Sequence, residues 1–334
     1  MIRVGVIGVG AMGRNHARVL HDLANVELAG MADQDAATAL QVGAATGTRG
    51  YESYQELLER ERPQAVVVAV PSDSHHRVVL DALAAGCHVL VEKPIAATVE
   101  QADELVRVAS RAKKVLAVGH IERYNPAVIE LKRRLEEGQL GRVFQLHARR
   151  LGPFPHRVRD VGVVVDLATH DLDVMRYLTG TEIVRVYAET KREVHTSRED
   201  LVTGLVRFAD GPMGILEINW LTPPKIRELT VTGEKGMFHA DYLTQDLIFY
   251  ENAAAADHNW EQITILRGVS EGVMVKYAIQ KREPLRAELE AFLAKVEGRP
   301  ATIVSGEDGT EALRLAQAMI DSGEEGRVIL LGRK

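Results

Sequence analysis

From residue 1 to about 120, short apolar runs alternate with stretches whose apolar residues recur at helical spacing. Ile2-Arg3-Val4-Gly5-Val6-Ile7 precedes a helical stretch at 12–23, and residues 26–31 precede another at 36–46. Runs at 65–70 and 88–91 precede helical stretches at 75–85 and 99–113, and a last run follows at 115–118. Apolar runs of this length, each followed by about a dozen helical residues, predict a parallel sheet wound with crossover helices. After Gly119 the alternation stops. Helices are predicted at 126–138 and 164–178, and longer alternating strands at 143–150, 183–191, 201–208, 213–221, 227–232 and 247–250. Ala209-Asp210-Gly211-Pro212 and Gly233-Glu234-Lys235-Gly236 are turn signals between them. Strands that follow one another without helices predict an antiparallel sheet. Helices at 284–297 and 309–321 end the pattern. The fold class expected is α/β. A doubly wound parallel sheet over residues 1–120 is followed by an α+β domain over 121–334 with a large, mostly antiparallel open sheet. Such a sheet often leaves one face uncovered by its own helices. A homodimer or homotetramer packed through that face is therefore expected.

The length, 334 residues, agrees with two domains rather than one core. The composition, 46% hydrophobic and 26% charged, is that of an ordinary globular chain. A net charge of -6 argues against a nucleic-acid partner. A single cysteine, Cys87, rules out an intrachain disulfide and a multi-cysteine metal site, and no metal is expected. Apolar stretches such as 65–70 fall far short of the roughly 20 residues that span a bilayer. Met1-Ile2-Arg3-Val4-Gly5 lacks the pattern of a secretory leader. The expectation is a cytoplasmic protein without membrane contact.

Three constellations carry chemistry. Gly8-Val9-Gly10-Ala11-Met12-Gly13 follows a strand and opens a helix, the context that gives a GxGxxG motif its meaning. Gly8 serves the tight turn, Gly10 lets a pyrophosphate approach the backbone, and Gly13 lets the helix pack on the strand. The amides of Ala11 and Met12 then face the phosphate at a helix N-terminus. Asp33, 20 residues on, stands where a carboxylate receives the adenosine ribose hydroxyls. It repels a 2′-phosphate, and Gln34 and Asp35 supply no arginine to receive one, so NAD is favoured over NADP. The second constellation is Glu92-Lys93-Pro94 at the end of a buried strand. Lys93 either binds a substrate oxygen and stabilises charge developing there, or is a solvated lysine paired with Glu92. Pro94 fixes the turn and suits a cis bond. The third is Asp166 and His170, spaced i,i+4 on a predicted helix face with Asp173 and Tyr177. This is either a carboxylate-oriented general base or a surface pair.

In order, the glycine loop, Asp33, Pro71-Ser72-Asp73-Ser74-His75, Glu92-Lys93-Pro94 and Asp166–His170 resemble the motifs of the Gfo/Idh/MocA oxidoreductases. Gly13-Arg14-Asn15-His16 fits that family's first helix, and the likeness covers essentially the whole chain. The resemblance implies a Rossmann domain, an NAD cofactor and oxidation of a sugar or cyclitol alcohol by hydride transfer. It implies that Lys93, Asp166 and His170 are catalytic. His170 would take the hydroxyl proton, Asp166 would hold the imidazole and Lys93 would bind the reacting oxygen. Pro71, Ser72, His75, Glu92 and Lys93 would contact the cofactor. Ser72 stands where many members have Asn.

A closer resemblance, to enzymes oxidising the 3-hydroxyl of UDP-N-acetylglucosamine, rests on 119–126, 149–153 and 157–171. It implies a nucleotide-sugar substrate and substrate roles for Arg123, Tyr124, Asn125 and Arg157 beside Lys93, Asp166 and His170. Arg149, Arg150, Arg157 and Arg159 could neutralise a diphosphate or serve an interface. The competing readings are an inositol or free-sugar dehydrogenase, an NAD-dependent glycosidase, and a dinucleotide sensor without turnover.

Overall fold

A computed structural model describes residues 1–155, 161–194, 197–253 and 271–332. By backbone contact the chain divides into two compact units. The first comprises Met1–Tyr124, Arg157–Asp173 and Arg282–Gln317, the second Asn125–His156, Val174–Lys281 and Ala318–Lys334. The first unit thus takes in two segments that lie beyond the division at residue 120 suggested by the alternation.

In the first unit, β1 (Ile2–Ile7), β2 (Val26–Ala32), β3 (Gly50–Tyr51), β4 (Ala65–Val68), β5 (His88–Val91) and β6 (Leu116–Val118) form one parallel sheet. Its order is β3-β2-β1-β4-β5-β6, so the direction of winding reverses between β1 and β4. Crossovers run through α1 (Ala11–His21), α2 (Ala36–Ala45), α3 (Tyr54–Glu61), α4 (His75–Ala84) and α5 (Val99–Ala112). Asp35, Ser53 and Thr98 cap α2, α3 and α5 by accepting first-turn amides. Val4, Val6, Val67 and Leu90 are fully buried, which is why these strands read as unbroken apolar runs. Each such side chain contributes roughly 1.5–3 kcal/mol.

The second unit begins with α6 (Pro126–Glu136) and β7 (Val143–Pro153). A π-helical turn at Val164–Ala168 in the first unit leads into α7 (Thr169–Thr179). Strands β8 (Ile183–Lys191), β9 (Leu201–Phe208), β10 (Met213–Asn219), β11 (Leu221–Gly233), β12 (Gly236–Asp241), β13 (Asp246–Asn252) and β14 (Glu271–Lys276) follow. After them in the chain come α8 (Pro284–Val296), which belongs to the first unit, then α9 (Gly306–Glu325) and β15 (Ile329–Leu330). The nine-stranded sheet is ordered β14-β13-β12-β11-β7-β10-β9-β8-β15 and is antiparallel except where β10 runs parallel to β7.

Alternation along β9 buries Val202, Gly204, Val206 and Phe208 and turns Leu205 outward. Tyr187 and Ile215 flank Leu205 across the ladder. Met213, Tyr250 and Met274 add further exposed apolar side chains. No helix among the described residues is long and apolar enough to cross a membrane.

Candidate active site

β1 runs directly into the glycine loop. Gly8 has φ +87°, and a Cβ there would lie 2.6 Å from the backbone of Ala69. A Cβ on Gly13 would come within 1.8 Å of the Gly8 carbonyl oxygen. Both positions therefore require glycine. Gly10 differs, since a Cβ there meets nothing within 4 Å and would project into open space. That space is a cleft of about 680 Å³ edged by Gly10, Ala11 and Met12. It extends past Asp33 and Ser72 to Lys93 and Asp166. Gly10, the N-cap of α1, has no side chain to accept a first-turn amide and no acid stands in that turn, so this helix end suits an anion. The Asp33 carboxylate is fixed in place, accepting the amide of Val9 at 2.8 Å and that of Asp35 at 3.0 Å. An open cradle at Gly10, uncapped amides and an oriented carboxylate fit an adenine dinucleotide without a 2′-phosphate.

At the far end of the cleft the Lys93–Pro94 peptide is cis. Lys93 Nζ donates to Asp166 Oδ1 at 2.5 Å and to the Asp166 carbonyl at 2.7 Å. The pairing of Lys93 with Glu92 does not form: the ammonium's partner is Asp166, while Glu92 accepts from His16 Nε2 at 2.8 Å. It also corrects the predicted Asp166–His170 pairing. Asp166 lies in the π-helical turn, so the i,i+4 geometry of an α-helix does not apply, and its carboxylate is held by the lysine. Asp166 Oδ2 has no hydrogen-bond partner among the described residues. Turns of this kind recur at functional sites. His170, buried in α7, meets the ring of His120 edge-on with centroids 5.7 Å apart.

His75 borders the cleft, but its ring nitrogens face the backbone. Nδ1 is 2.7 Å from the Pro94 carbonyl and Nε2 is 2.9 Å from that of Val70. The ring thus lines the cleft while bracing two strand-end turns. Pro71, Ser72, Glu92 and Lys93 line the cleft too.

Charges behind the cleft are arranged in depth. Burial pushes the Glu92 carboxyl up, but the His16 hydrogen bond and the charges of His16, Lys93 and His75 outweigh it and leave it lowered. Burial, helped by Arg123 and Lys93, lowers the basicity of His120. Glu288 in α8 is buried, and neither carboxylate oxygen is hydrogen-bonded among the described residues. Burial and the negative charge of Glu92 hold its acid well above the ordinary range.

The pH consequence for Glu288 has a definite sign. An unfolded glutamate loses its proton near ~4.3. Above that value the folded chain retains a proton the unfolded chain has released, so stability falls as pH rises toward the folded value. Glu288→Gln should therefore raise the melting temperature more at pH 8 than at pH 5. An equal gain at both values in thermal denaturation would reject the protonated acid.

Several side chains assigned to substrate by resemblance are otherwise engaged. Arg123 donates to Asp173 through Nε at 2.7 Å and Nη2 at 2.6 Å, and to Asp308 at 3.2 Å. Its guanidinium is held by these carboxylates. Asn125 is buried, caps α6 by accepting the Ala127 amide, and donates to the Tyr242 carbonyl. Tyr124 keeps its proton far into the alkaline range, through burial and then the charge of Glu288. Arg149 pairs with Glu217 at 3.0 Å and Glu228 at 3.4 Å on the nine-stranded sheet, and Arg150 is buried over the Tyr242 ring. Arg157 and Arg159 lie outside the described residues. The sequence pattern assigns no role to His16, Asp173 or Glu288. The one available signal was His16's place on the same helix face as the packed Gly13.

A β3-β2-β1-β4-β5-β6 sheet with a phosphate cradle, an oriented carboxylate and a lysine at its strand ends defines a nicotinamide-dinucleotide oxidoreductase. Residues 2–120 match the family described as oxidoreductase family, NAD-binding Rossmann fold, and residues 128–239 match the GFO/IDH/MocA C-terminal domain. The chain is 32% identical over 315 residues to a UDP-N-acetylglucosamine 3-dehydrogenase of Acidithiobacillus ferrooxidans, covering 94% of this chain and 95% of that one. A solved structure of that enzyme superposes with a TM-score of 0.83 at 33% identity, covering 97% of this chain and 98% of the other. A myo-inositol 2-dehydrogenase of Thermotoga maritima is 25% identical, covering 99% and 98% of the two chains. The chain belongs to the GFO/IDH/MocA family of NAD-binding oxidoreductases.

Proposed function

We propose that the chain oxidises a secondary hydroxyl of a sugar, with the 3-hydroxyl of UDP-N-acetylglucosamine as the substrate position. The observation that carries this reading is the Lys93 ammonium held on Asp166 at the end of the dinucleotide cleft. Bound NAD supplies the hydride acceptor. Lys93 turns one N–H to the reacting oxygen and stabilises the charge that grows there as the carbinol hydrogen leaves. Asp166 positions the ammonium and balances its charge. His170 takes the hydroxyl proton, and the neutral ring of His120 sets its orientation. The overall change is alcohol to ketone, with a proton to solvent and a hydride to the cofactor.

Support for the nucleotide sugar comes from the 32%-identical relative and from the sequence blocks around Arg123 and His170. One observation favours a free sugar or cyclitol instead. Of the clustered arginines, Arg149 is occupied by two carboxylates and Arg150 is buried, which leaves fewer cations for a diphosphate. Incubation with NAD and UDP-N-acetylglucosamine, N-acetylglucosamine or myo-inositol separates the readings. NADH absorbance is followed in the presence of a coupled acceptor, which prevents product retention from hiding turnover. Turnover confined to the nucleotide sugar is expected, and oxidation of myo-inositol alone would reject that substrate.

The exposed Leu205, Met213, Tyr250 and Met274 are the surface through which we place a homo-oligomer. Light scattering should give a dimer or tetramer, and Leu205→Arg should lower the mass. A monomeric wild-type chain would dismiss that assembly.

A further inference from the structure

His75 opens α4 with its ring buried, and both ring nitrogens meet backbone carbonyls, Pro94 at 2.7 Å and Val70 at 2.9 Å. A carbonyl oxygen only accepts. Neutral imidazole carries a single N–H, so either neutral tautomer would press a bare nitrogen lone pair against one of these oxygens at hydrogen-bonding distance. The imidazolium form satisfies both. The positive end of α4 opposes a cation at its first residue, and the two carbonyls with Glu92 outweigh it.

We propose that His75 is a standing imidazolium that ties the turn after β4 to the turn after β5, and thereby fixes where Lys93 stands. It is a positioning residue. Its charge state follows from hydrogen-bond accounting alone, and its effect on turnover rests on the function proposed above. Ties of this kind matter because a lysine displaced by a fraction of an ångström loses much of its effect on a reacting oxygen.

Long-range 1H–15N correlation spectra of the apo wild-type protein at pH 7.5, with His75→Phe to assign the signal, test the charge. Both ring nitrogens should be protonated. A spectrum with one unprotonated nitrogen overturns the proposal, whatever reaction the protein performs. His75→Phe fills the ring's volume but donates nothing. With whichever sugar proves to be the substrate, its kcat should fall about tenfold or more while the sugar KM stays within about threefold. His75→Gln, which restores a donor, should recover part of the loss. Wild-type kcat in His75→Phe would overturn the positioning role even with the charge in place.

Discussion

Lys93→Met should abolish turnover while leaving the dinucleotide site intact: kcat falls by at least ~100-fold and NAD affinity is retained. The expectation rests on where the ammonium sits. Lys93 reaches the end of the cleft from the turn after β5, and its two hydrogen bonds go to one residue, Asp166. A group bound this way can turn a third N–H toward a substrate oxygen without releasing its anchor. The substitution also strands a buried carboxylate, and removing one partner of a buried pair costs up to ~3–5 kcal/mol. Since Lys93 is partly exposed, the loss should be smaller, and assays well below the melting temperature keep it out of the rate. Lys93→Arg separates the two effects, because a guanidinium keeps the charge beside Asp166 but is not an ammonium at the reacting oxygen. Titration of NAD with each variant shows whether the cradle survives. Near-normal kcat in Lys93→Met would remove the lysine from the chemistry.

The dinucleotide half was legible because its signals are local. Buried strands such as Val66–Val67 are apolar on both faces, and glycine positions are set by backbone approach within a few residues. Elements without such signals were not found in the sequence. β3 and β15 are two residues each, α3 is short and charged, and β12 and β14 carry weak alternation. For the candidate site the sequence singled out residues but not their geometry. Lys93 and Asp166 do meet, yet the Asp166–His170 pair read from helical spacing does not form. A single π-helical turn changes which side chains face each other, and nothing in the local sequence announces it. Asn125-Pro126 carried a plain helix-start signal, and the structure uses Asn125 as that cap. The ligand roles of His75 and Arg123 came from resemblance, while the main-chain carbonyls that His75 meets and the distant carboxylates that Arg123 binds leave no local signal in the sequence. Arg123 and Asp173 are 50 residues apart, and no periodicity links them.

Arg123→Met should lower stability more than any other single change near the site, by about 3–5 kcal/mol. Asp173 is fully buried, and its two oxygens receive two parallel bonds from the Arg123 guanidinium. Bidentate pairs of this kind are stronger than single contacts, and the arginine also binds Asp308, so it ties together three separate stretches of chain. Removing it leaves a carboxylate without its cation where water does not reach. Asp173→Asn should be milder, since the amide keeps an acceptor for Arg123 and Asp308 still balances its charge. Adding Asp173→Leu to Arg123→Met should recover part of the loss, because no charge is then stranded in the interior. Urea unfolding of the single and double variants gives the energies, and kinetics on the same samples gives the second half of the test. If Arg123 only holds the chain, the variant's remaining folded fraction should keep a wild-type KM for the sugar. A KM raised tenfold or more with little change in unfolding free energy would return Arg123 to the substrate.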